Sequence, residues 1–351
     1  MVALPSSRPL GPIWASRLSK LLDCPLQVAF EQSLGNGGSG GASPSPSALV
    51  GTAIHRCIEL IIKDGLTLEQ AWEDSCDEMS ASGLDPRNAK PAKRAFLRLK
   101  SRLPELLALI DEHDLEQDPL PEEMLETSDG LLRGQPDLIL LGENTRIVDY
   151  KSGTATTDGT VNPNYVTQLL FYACLVADTF EKEQIDAWLF SLQDGLIPVD
   201  VSEEPRVTLL EDARRAIGRF DEAVPETPSG NPSNEACGWC NFALDCDEFW
   251  LALEDGRLDD PSSGQALEGK VVGTPVNARN GRSALSLDVR RGSLTGHFVV
   301  GNIPTQLVQH LQDGQLVRIV RLRLQRGEES VLVWRDHSSR MTQVEVAGPA
   351  S

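Results

Sequence analysis

Residues 131–152, LLRGQPDLILLGENTRIVDYKS, decide the fold of this chain. Two runs rich in aliphatic and β-branched residues flank Gly142-Glu143-Asn144, which predicts two antiparallel strands joined by a tight turn. Asp149 and Lys151 are two residues apart on the second strand, so their side chains leave the same face of the sheet. The turn puts Asp137 across from them on the first strand. The hairpin is therefore predicted to bring two carboxylates and an ammonium group together at one end of a sheet.

This trio of side chains suits a metal-dependent hydrolytic site. Carboxylates are hard oxygen ligands of the kind that Mg²⁺ and Mn²⁺ prefer. A lysine beside them can orient or polarise an attacking water and offset charge on a phosphate. The same residues also fit an exposed hairpin with a cross-strand ion pair, so the Asp-x-Lys pattern alone does not establish the site.

Two predicted helices carry further candidate residues. His55 lies on the amphipathic segment ALVGTAIHRCIEL, with Gly51 one turn before it. Gln168 and Tyr172 are four residues apart in the segment NYVTQLLFYACLVADTF, so they share one helix face. Taken singly, these residues also fit ordinary roles, a hydrogen-bonded structural histidine and the polar edge of a helix.

The seven cysteines form two groups by spacing. An odd count in a chain without an export signal argues against a disulfide framework. Cys237, Cys240 and Cys246 follow a C-x₂-C-x₅-C pattern, and Cys24 lies far upstream. Four thiolates suit either a tetrahedral Zn²⁺ site or an iron–sulfur cluster. The other three are predicted to be small buried hydrophobic residues: Cys57, Cys76 and Cys174.

The order of these motifs resembles the RecB-like branch of the PD-(D/E)xK nucleases. The matching residues are Gly51-x-x-x-His55, Gly134-x-x-Asp137, Asp149-x-Lys151 and Gln168-x-x-x-Tyr172. One cysteine before the core and three after it resemble the iron–sulfur members of that branch, the AddB nuclease domain and the RecB-type exonuclease associated with CRISPR systems. The resemblance extends from residue 14 to about residue 250.

The resemblance implies an α/β fold, a restriction-endonuclease-like mixed sheet flanked by helices. It implies a Mg²⁺- or Mn²⁺-dependent exonuclease that hydrolyses single-stranded DNA or DNA ends, in DNA repair, recombination or foreign-DNA processing. The implied roles of the residues follow. Asp137 and Asp149 bind the metal with His55 and the backbone carbonyl of Tyr150; Lys151 positions the water; Gln168 and Tyr172 brace the site or contact the nucleic-acid backbone; and Cys24, Cys237, Cys240 and Cys246 hold a structural 4Fe–4S cluster.

Composition predicts two domains and a linker. Residues 1–255 form the nuclease domain, in which residues 35–47, GNGGSGGASPSPS, are a flexible loop. Residues 256–264 are a linker. Residues 265–347 show the order β-β-β-α-β-β, which predicts a small five-stranded, OB-like β-barrel.

The net charge of −20 requires local basic regions if the protein is to bind DNA. One candidate is the segment 87–102, which holds seven Lys or Arg and no acid. The others are tail arginines: Arg290, Arg291, Arg318, Arg321 and Arg323. Arg321 and Arg323 are predicted to share a strand face, where OB barrels bind single strands. A solvated face or a surface for a partner protein fits these arginines equally well.

Several function classes are disfavoured by the sequence. It has no run of 18 apolar residues and no secretory signal, which predicts a soluble, cytoplasmic protein without a membrane partner. It has no G-x-x-x-x-G-K-S/T loop, so a helicase motor or a CRISPR adaptation subunit would be a separate partner. The alternative to an exonuclease is a non-cleaving iron–sulfur module that holds DNA ends for such a complex.

Overall fold

The computed structural model describes residues 7–33, 45–81, 83–224, 226–258, 264–277, 280–325, 330–336 and 338–344. Its helices are α1 (Ala15–Asp23), α2 (Pro25–Ser33), α3 (Pro46–Asp64), α4 (Leu68–Ser80), α5 (Ala92–Asp111), α6 (Pro163–Phe180), α7 (Glu203–Ala223), α8 (Asn234–Gly238), α9 (Asp247–Glu254) and α10 (Thr305–Val308), with a 3₁₀ turn at Pro86–Asn88. Its strands are β1 (Leu120–Pro121), β2 (Leu125–Glu126), β3 (Arg133–Gly134), β4 (Leu138–Leu140), β5 (Thr145–Lys151), β6 (Thr156–Thr157), β7 (Thr160–Val161), β8 (Ile185–Ser191), β9 (Gly195–Val199), β10 (Gln265–Val271), β11 (Val276–Asn277), β12 (Arg282–Gly292), β13 (Gly296–Pro304), β14 (Leu316–Leu324), β15 (Val331–Val333) and β16 (Arg340–Val344). None of the helices in these ranges is long and apolar enough to cross a membrane.

The chain divides into two compact units. The sheet unit comprises residues 9–22 and 37–222, and the barrel unit comprises residues 1–8, 23–36 and 223–351, each as far as the structure describes them. The cysteine-rich segment therefore groups with the barrel, whereas the sequence places it in the nuclease domain. The predicted domain limits stay a prediction, because a division into compact units shows which segments pack together and not which segment folds alone. Of the predicted linker 256–264, residues 259–263 lie outside the described residues.

The sheet unit is built on a mixed five-stranded sheet in the order β1-β4-β5-β8-β9. The antiparallel β4–β5 hairpin that the sequence predicts is confirmed, with Leu138 opposite Val148. Strand β5 pairs in parallel with β8, and α6 is the helix that connects them. A parallel pair needs such a crossover, and it leaves β5 in the middle of the sheet.

The sheet is covered on both faces. Val148 and Tyr150 of β5 belong to an apolar core shared with α3, α4 and α5. Because side chains alternate along a strand, Asp149 and Lys151 leave the other face, which α6 covers. Cys57, Cys76 and Cys174 are all buried, as predicted.

Helix α3, which carries His55, has a signal at each end. Ser45 caps it, its side chain accepting a hydrogen bond from the N–H of Ala48, and Pro46 follows at the first turn. Gly65 ends it with a φ of 65°, a left-handed conformation that glycine adopts without steric cost. The predicted loop 35–47 thus gives way to helix at Pro46, and its residues 35–44 lie outside the described residues.

The barrel unit contains a closed five-stranded barrel. The strands follow the order β10-β12-β13-β15-β14, and β14 pairs back to β10. The β13–β15 pair is parallel, the other barrel pairs are antiparallel, and α10 lies between β13 and β14. The predicted OB-like topology is confirmed. The barrel is filled by large apolar side chains, among them Leu267, Leu285, Leu287, Val300, Val317, Ile319, Leu332 and Trp334.

Candidate active site

Strand β5 and the residue before β4 bring together the three predicted side chains, the two carboxylates and the lysine. Asp149 is 1% exposed, and its Oδ2 lies 2.6 Å from Nζ of Lys151. Continuing the β4–β5 register by one pair places Asp137 opposite Asp149. Within the described residues Asp149 Oδ2 accepts no well-aligned hydrogen bond despite the close ammonium group, so this buried oxygen keeps a lone pair for another cation.

Asp137 connects the strand to helix α3. Its Oδ2 accepts a hydrogen bond from the backbone N–H of Tyr150 at 2.5 Å. Its Oδ1 lies 3.1 Å from Nδ1 of His55, and Oε1 of Glu122 lies 3.8 Å from the same nitrogen. The ligand atoms of His55, Glu122 and Asp137 all lie within 4.8 Å of one another. One imidazole and two carboxylates at this spacing fit a single Mg²⁺ or Mn²⁺ ion.

Glu122 belongs to this group of possible metal ligands, and the sequence analysis did not select it. It follows β1 directly and has a φ of 54°, a left-handed backbone that is strained for a residue with a Cβ. The Glu122 N–H donates to the carbonyl of Asp137 at 3.1 Å, and the side chain of Gln135 donates to the Glu122 carbonyl at 2.7 Å. These bonds hold a conformation that costs about 1–3 kcal/mol. In the sequence its neighbour Glu123 looks the same, and only the β1–β4 pairing separates the two.

A second line of contacts runs from Lys151 to helix α6. Its Nζ donates to Oε1 of Gln168 at 3.0 Å, and Nε2 of Gln168 donates to the hydroxyl of Tyr172 at 3.1 Å. Nζ also lies 4.5 Å from the ring centroid of Tyr165, a cation–π contact that the sequence did not indicate. The structure thus brings both predicted α6 residues to the lysine and fixes the ammonium group from three sides.

Gly134, the glycine of the second motif, allows α6 to approach the site. A Cβ at this position would lie 3.0 Å from Leu175 and 3.1 Å from Phe171 and Tyr172. These distances are shorter than ordinary van der Waals contact. Any larger residue would push away the helix that carries Gln168.

The charges of the site shift the pKa values of Asp149 and His55. Burial and then the charge of Asp137 raise the pKa of Asp149 to about 7, although Lys151 opposes the shift. Burial lowers the pKa of His55, but Asp137 and Glu122 more than offset it and raise the pKa to about 10. His55 is therefore protonated at neutral pH, and the proton sits where the carboxylates favour a cation. A divalent ion that took Nδ1 as a ligand would have to replace that proton.

Tyr150 holds the imidazole by packing. Its ring meets that of His55 edge to face, with centroids 5.6 Å apart, and is fully buried. Its hydroxyl has no hydrogen-bond partner in the described part of the chain. The role of its backbone carbonyl as a metal ligand stays a prediction.

The four cysteines of the predicted cluster line one cavity in the barrel unit. Cys24 precedes α2, Cys237 lies in α8, Cys240 follows it, and Cys246 precedes α9. No three of these sulfur atoms lie within 4.8 Å of one another in the part of the chain described. A single tetrahedral Zn²⁺ would need sulfur–sulfur distances of about 3.8 Å, from Zn–S bonds of about 2.3 Å. Which metal centre these cysteines hold stays a prediction.

The predicted shared face of Arg321 and Arg323 is wrong. Arg321 has a φ of 63° at a bulge in the β10–β14 pairing, and the extra residue breaks the alternation of the strand. Arg321 is buried, whereas Arg323 is exposed. The Arg321 guanidinium donates to the carbonyls of Gly238 at 3.0 Å and Cys240 at 2.8 Å.

Two other tail arginines also make contacts within the barrel unit. Arg318 Nε donates to Oε2 of Glu268 at 2.6 Å, and its Nη1 donates to the carbonyl of Leu244 at 3.0 Å. Arg291 makes two hydrogen bonds to the carboxylate of Glu254. These arginines tie the barrel to the cysteine-rich segment, which reduces their availability to DNA.

Comparison with known proteins finds a matching family model and similar solved structures. The family model of the PD-(D/E)XK nuclease superfamily matches residues 13–247. No curated protein is similar enough to count as a match. The crystal structure of SSO0001 is similar at 14% identity and a TM-score of 0.31, over 68% of this chain and 88% of that chain.

Proposed function

This chain belongs to the PD-(D/E)XK nuclease superfamily, and from that membership we propose that it is a metal-dependent exonuclease that hydrolyses phosphodiester bonds of single-stranded DNA or DNA ends. The observation that carries the proposal is the convergence of Asp137, Asp149 and Lys151 at the end of β5. His55 and Glu122 complete the set of donors around Asp137.

The donor set fits Mg²⁺ or Mn²⁺. His55, Glu122 and Asp137 would hold the ion, with Asp149 and the Tyr150 carbonyl as the further ligands that the family resemblance implies. A bound divalent ion supplies positive charge to the scissile phosphate and lowers the pKa of water. The Tyr150 N–H fixes the carboxylate of Asp137, so this ligand is oriented before any ion arrives.

Lys151 is proposed to position the attacking water. Asp149, Gln168 and the Tyr165 ring surround its ammonium group, which leaves few directions for its remaining N–H. From this position it can donate to a water and offset charge on a phosphate oxygen. Gln168 and Tyr172 act as the brace that keeps the lysine there.

The second proposed cofactor is a structural 4Fe–4S cluster on Cys24, Cys237, Cys240 and Cys246. Its support is the common cavity and the family resemblance. Burial raises the pKa of Cys237 to about 11 and that of Cys246 to about 12, so these thiols ionise only when a metal centre replaces the proton. Binding would close the chain between residues 24 and 237 and stabilise the barrel unit.

The remaining details rest on the resemblance stated above. They are action from DNA ends, a place in repair, recombination or foreign-DNA processing, a separate helicase or CRISPR adaptation subunit as partner, and a cytoplasmic location. The presence of Asp137, Asp149 and Lys151 together argues against the alternative of a non-cleaving end-binding module.

The test is a cleavage assay on end-labelled single-stranded and duplex DNA with Mg²⁺ or Mn²⁺. We expect loss of labelled linear DNA and no cutting of closed circles. Asp149→Asn should abolish the activity, whereas Asp74→Asn, an exposed aspartate on α4, should retain it. DNA that is bound but never cut, with either metal, would favour the end-binding module.

A further inference from the structure

Helix α5 exposes a group of basic residues that the proposed chemistry does not use. Its buried side is apolar, with Ala95, Leu99 and Leu103 facing the core. Its outer side, together with the residue two positions before the helix, forms what we call the basic strip: Lys90, Lys93, Arg94 and Arg98. Arg94 and Arg98 are four residues apart in the helix, so their side chains lie on one side of it, with Lys93 next to Arg94 and Lys90 in the turn before the helix.

The strip is not neutralised by the protein. Its four cations have no carboxylate partner within 4.0 Å among the described residues. The neighbouring basic residues do have partners: Arg87 with Glu73, Asp77 and Asp85, Lys100 with Glu69, and Arg102 with Glu105. These neighbours engage Glu69, Glu73 and Asp77 of α4, while Lys90, Lys93 and Arg94 of the strip are exposed and Arg98 is half-buried.

An ordinary solvated helix face does not explain this arrangement well. The chain carries 52 acidic against 32 basic residues, so an unselected surface would be mostly acidic. No acid interrupts the sequence between Asp85 and Glu105. Four adjacent cations repel one another, and an external polyanion would remove that repulsion.

The fold directs the strip toward the catalytic end of the sheet. Near the end of α5, the Leu109 carbonyl accepts a hydrogen bond from Arg146 at the start of β5. Farther back, Arg102 donates to the carbonyl of Gln193, in the turn after β8. Because β8 and β5 are parallel and Ser191 pairs with Lys151, that turn lies at the end of β5 that carries Asp149 and Lys151.

Helix α5 therefore runs antiparallel to β5, and its first turns extend past the catalytic edge. Lys93 precedes Arg102 by nine residues, or about 14 Å of helix. That length corresponds to about four base-pair steps of duplex at about 3.4 Å each. Nucleic acid that continues beyond the scissile bond in this direction would pass along the strip.

We propose that the basic strip binds the phosphate backbone of DNA flanking the scissile bond, which deepens the proposed nuclease function and rests on it. The strip reads charge and not base sequence, since lysines and arginines without fixed partners contact phosphates without discrimination. It gives an otherwise acidic protein a defined track for its polyanionic substrate.

The test compares two triple variants with the same change in net charge. Lys93→Gln/Arg94→Gln/Arg98→Gln removes the core of the strip. Lys63→Gln/Arg214→Gln/Arg215→Gln removes three exposed cations of the sheet unit that have partners. Binding of a fluorescent 20-nucleotide single strand is followed by anisotropy in EDTA, where no cleavage occurs, over a range of salt concentrations.

Loss of three phosphate contacts should weaken binding about tenfold or more. The slope of the logarithm of the binding constant against the logarithm of the salt concentration should become shallower by about two, at about 0.7 per contact. The control variant should bind like wild type. A dinucleotide, too short to reach the strip, should be cleaved at the same rate by all three proteins. Equal affinity of both variants, with wild type cutting DNA, would overturn the strip and leave the nuclease proposal standing. A wild type that neither binds nor cuts DNA would overturn both.

Discussion

Asp137 makes more contacts in the site than any other single carboxylate, because each of its oxygens has a different task. Oδ2 is held by the Tyr150 N–H, and Oδ1 faces His55. The backbone bond fixes the carboxylate without using a side chain that could titrate. Glu122 adds a second negative charge beside the same imidazole nitrogen, and its strained backbone indicates that its position matters.

We predict that Glu122→Gln weakens Mn²⁺ binding by about tenfold or more, because one charged ligand oxygen is lost. Isothermal titration calorimetry measures the effect directly. The matched control is Glu123→Gln, the adjacent exposed glutamate. Equal Mn²⁺ affinity in the two variants would remove Glu122 from the ligand set.

The titration of His55 predicts a pH-dependent stability for the metal-free protein. The folded pKa of about 10 lies above the ordinary 6.5, so the folded state retains a proton that the unfolded state releases between these values. This contribution is complete below pH 6.5 and is lost as the pH rises toward 10. Asp149, with a pKa raised to about 7, acts in the same direction between pH 4 and 7.

The measurement is thermal unfolding in EDTA between pH 6 and 9. The melting temperature should fall more steeply in wild type than in His55→Gln, whose side chain cannot bind the extra proton. Mg²⁺ should stabilise wild type more at pH 9 than at pH 6, since fewer protons compete with it. Parallel curves for the two proteins would show that His55 does not bind an extra proton.

At the scale of elements, the β4–β5 hairpin and helix α6 could be predicted because their signals are local. Alternating apolar residues, a turn and a helical period are all contained in short windows. Glu122 and the bulge at Arg321 could not be predicted in this way. The first depends on β1 pairing with β4 across the sheet, and the second depends on how β14 pairs with β10.

Gly134 provides a test of how closely α6 must approach. Gly134→Ala should lower the free energy of unfolding by about 1–3 kcal/mol, because the new methyl overlaps Phe171, Tyr172 and Leu175. It should also lower activity, since Gln168 moves with α6. The control is Gly153→Ala, where an added Cβ meets no atom within 4 Å. Chemical denaturation measures the free energy of unfolding of both variants. Equal stability would show that a methyl group at residue 134 does not disturb α6.

At the scale of the whole molecule, the barrel unit combines the cysteines and the OB-like barrel. The sequence predicted both parts, but not that they form one compact unit. The reason is that arginines connect the barrel to the cysteine-rich segment. From the sequence, these arginines were expected on an exposed DNA-binding face. Arg321 and Arg318 instead donate to carbonyls of the cysteine-rich segment.

We predict that Arg321→Met lowers the retention of the cysteine-bound centre. The carbonyls of Gly238 and Cys240 would lose their donor, and unsatisfied buried acceptors cost about 1–3 kcal/mol each. Iron and acid-labile sulfide per chain, measured after anaerobic purification, should fall by about half or more under this cost. Arg323→Met, at an exposed position two residues away, should keep the wild-type content. Equal content in both variants would separate the barrel from the cysteine site.

The central claim is that Lys151, held between Asp149 and Gln168, takes part in metal-dependent hydrolysis of DNA. The most direct measurement is the rate of product release from end-labelled single-stranded DNA in Mg²⁺ or Mn²⁺ for wild type, Lys151→Ala and the exposed control Lys63→Ala, with circular dichroism to verify folding. We predict that Lys151→Ala loses about a hundredfold or more in rate, while Lys63→Ala matches wild type. Equal rates in wild type and a folded Lys151→Ala protein would contradict the account.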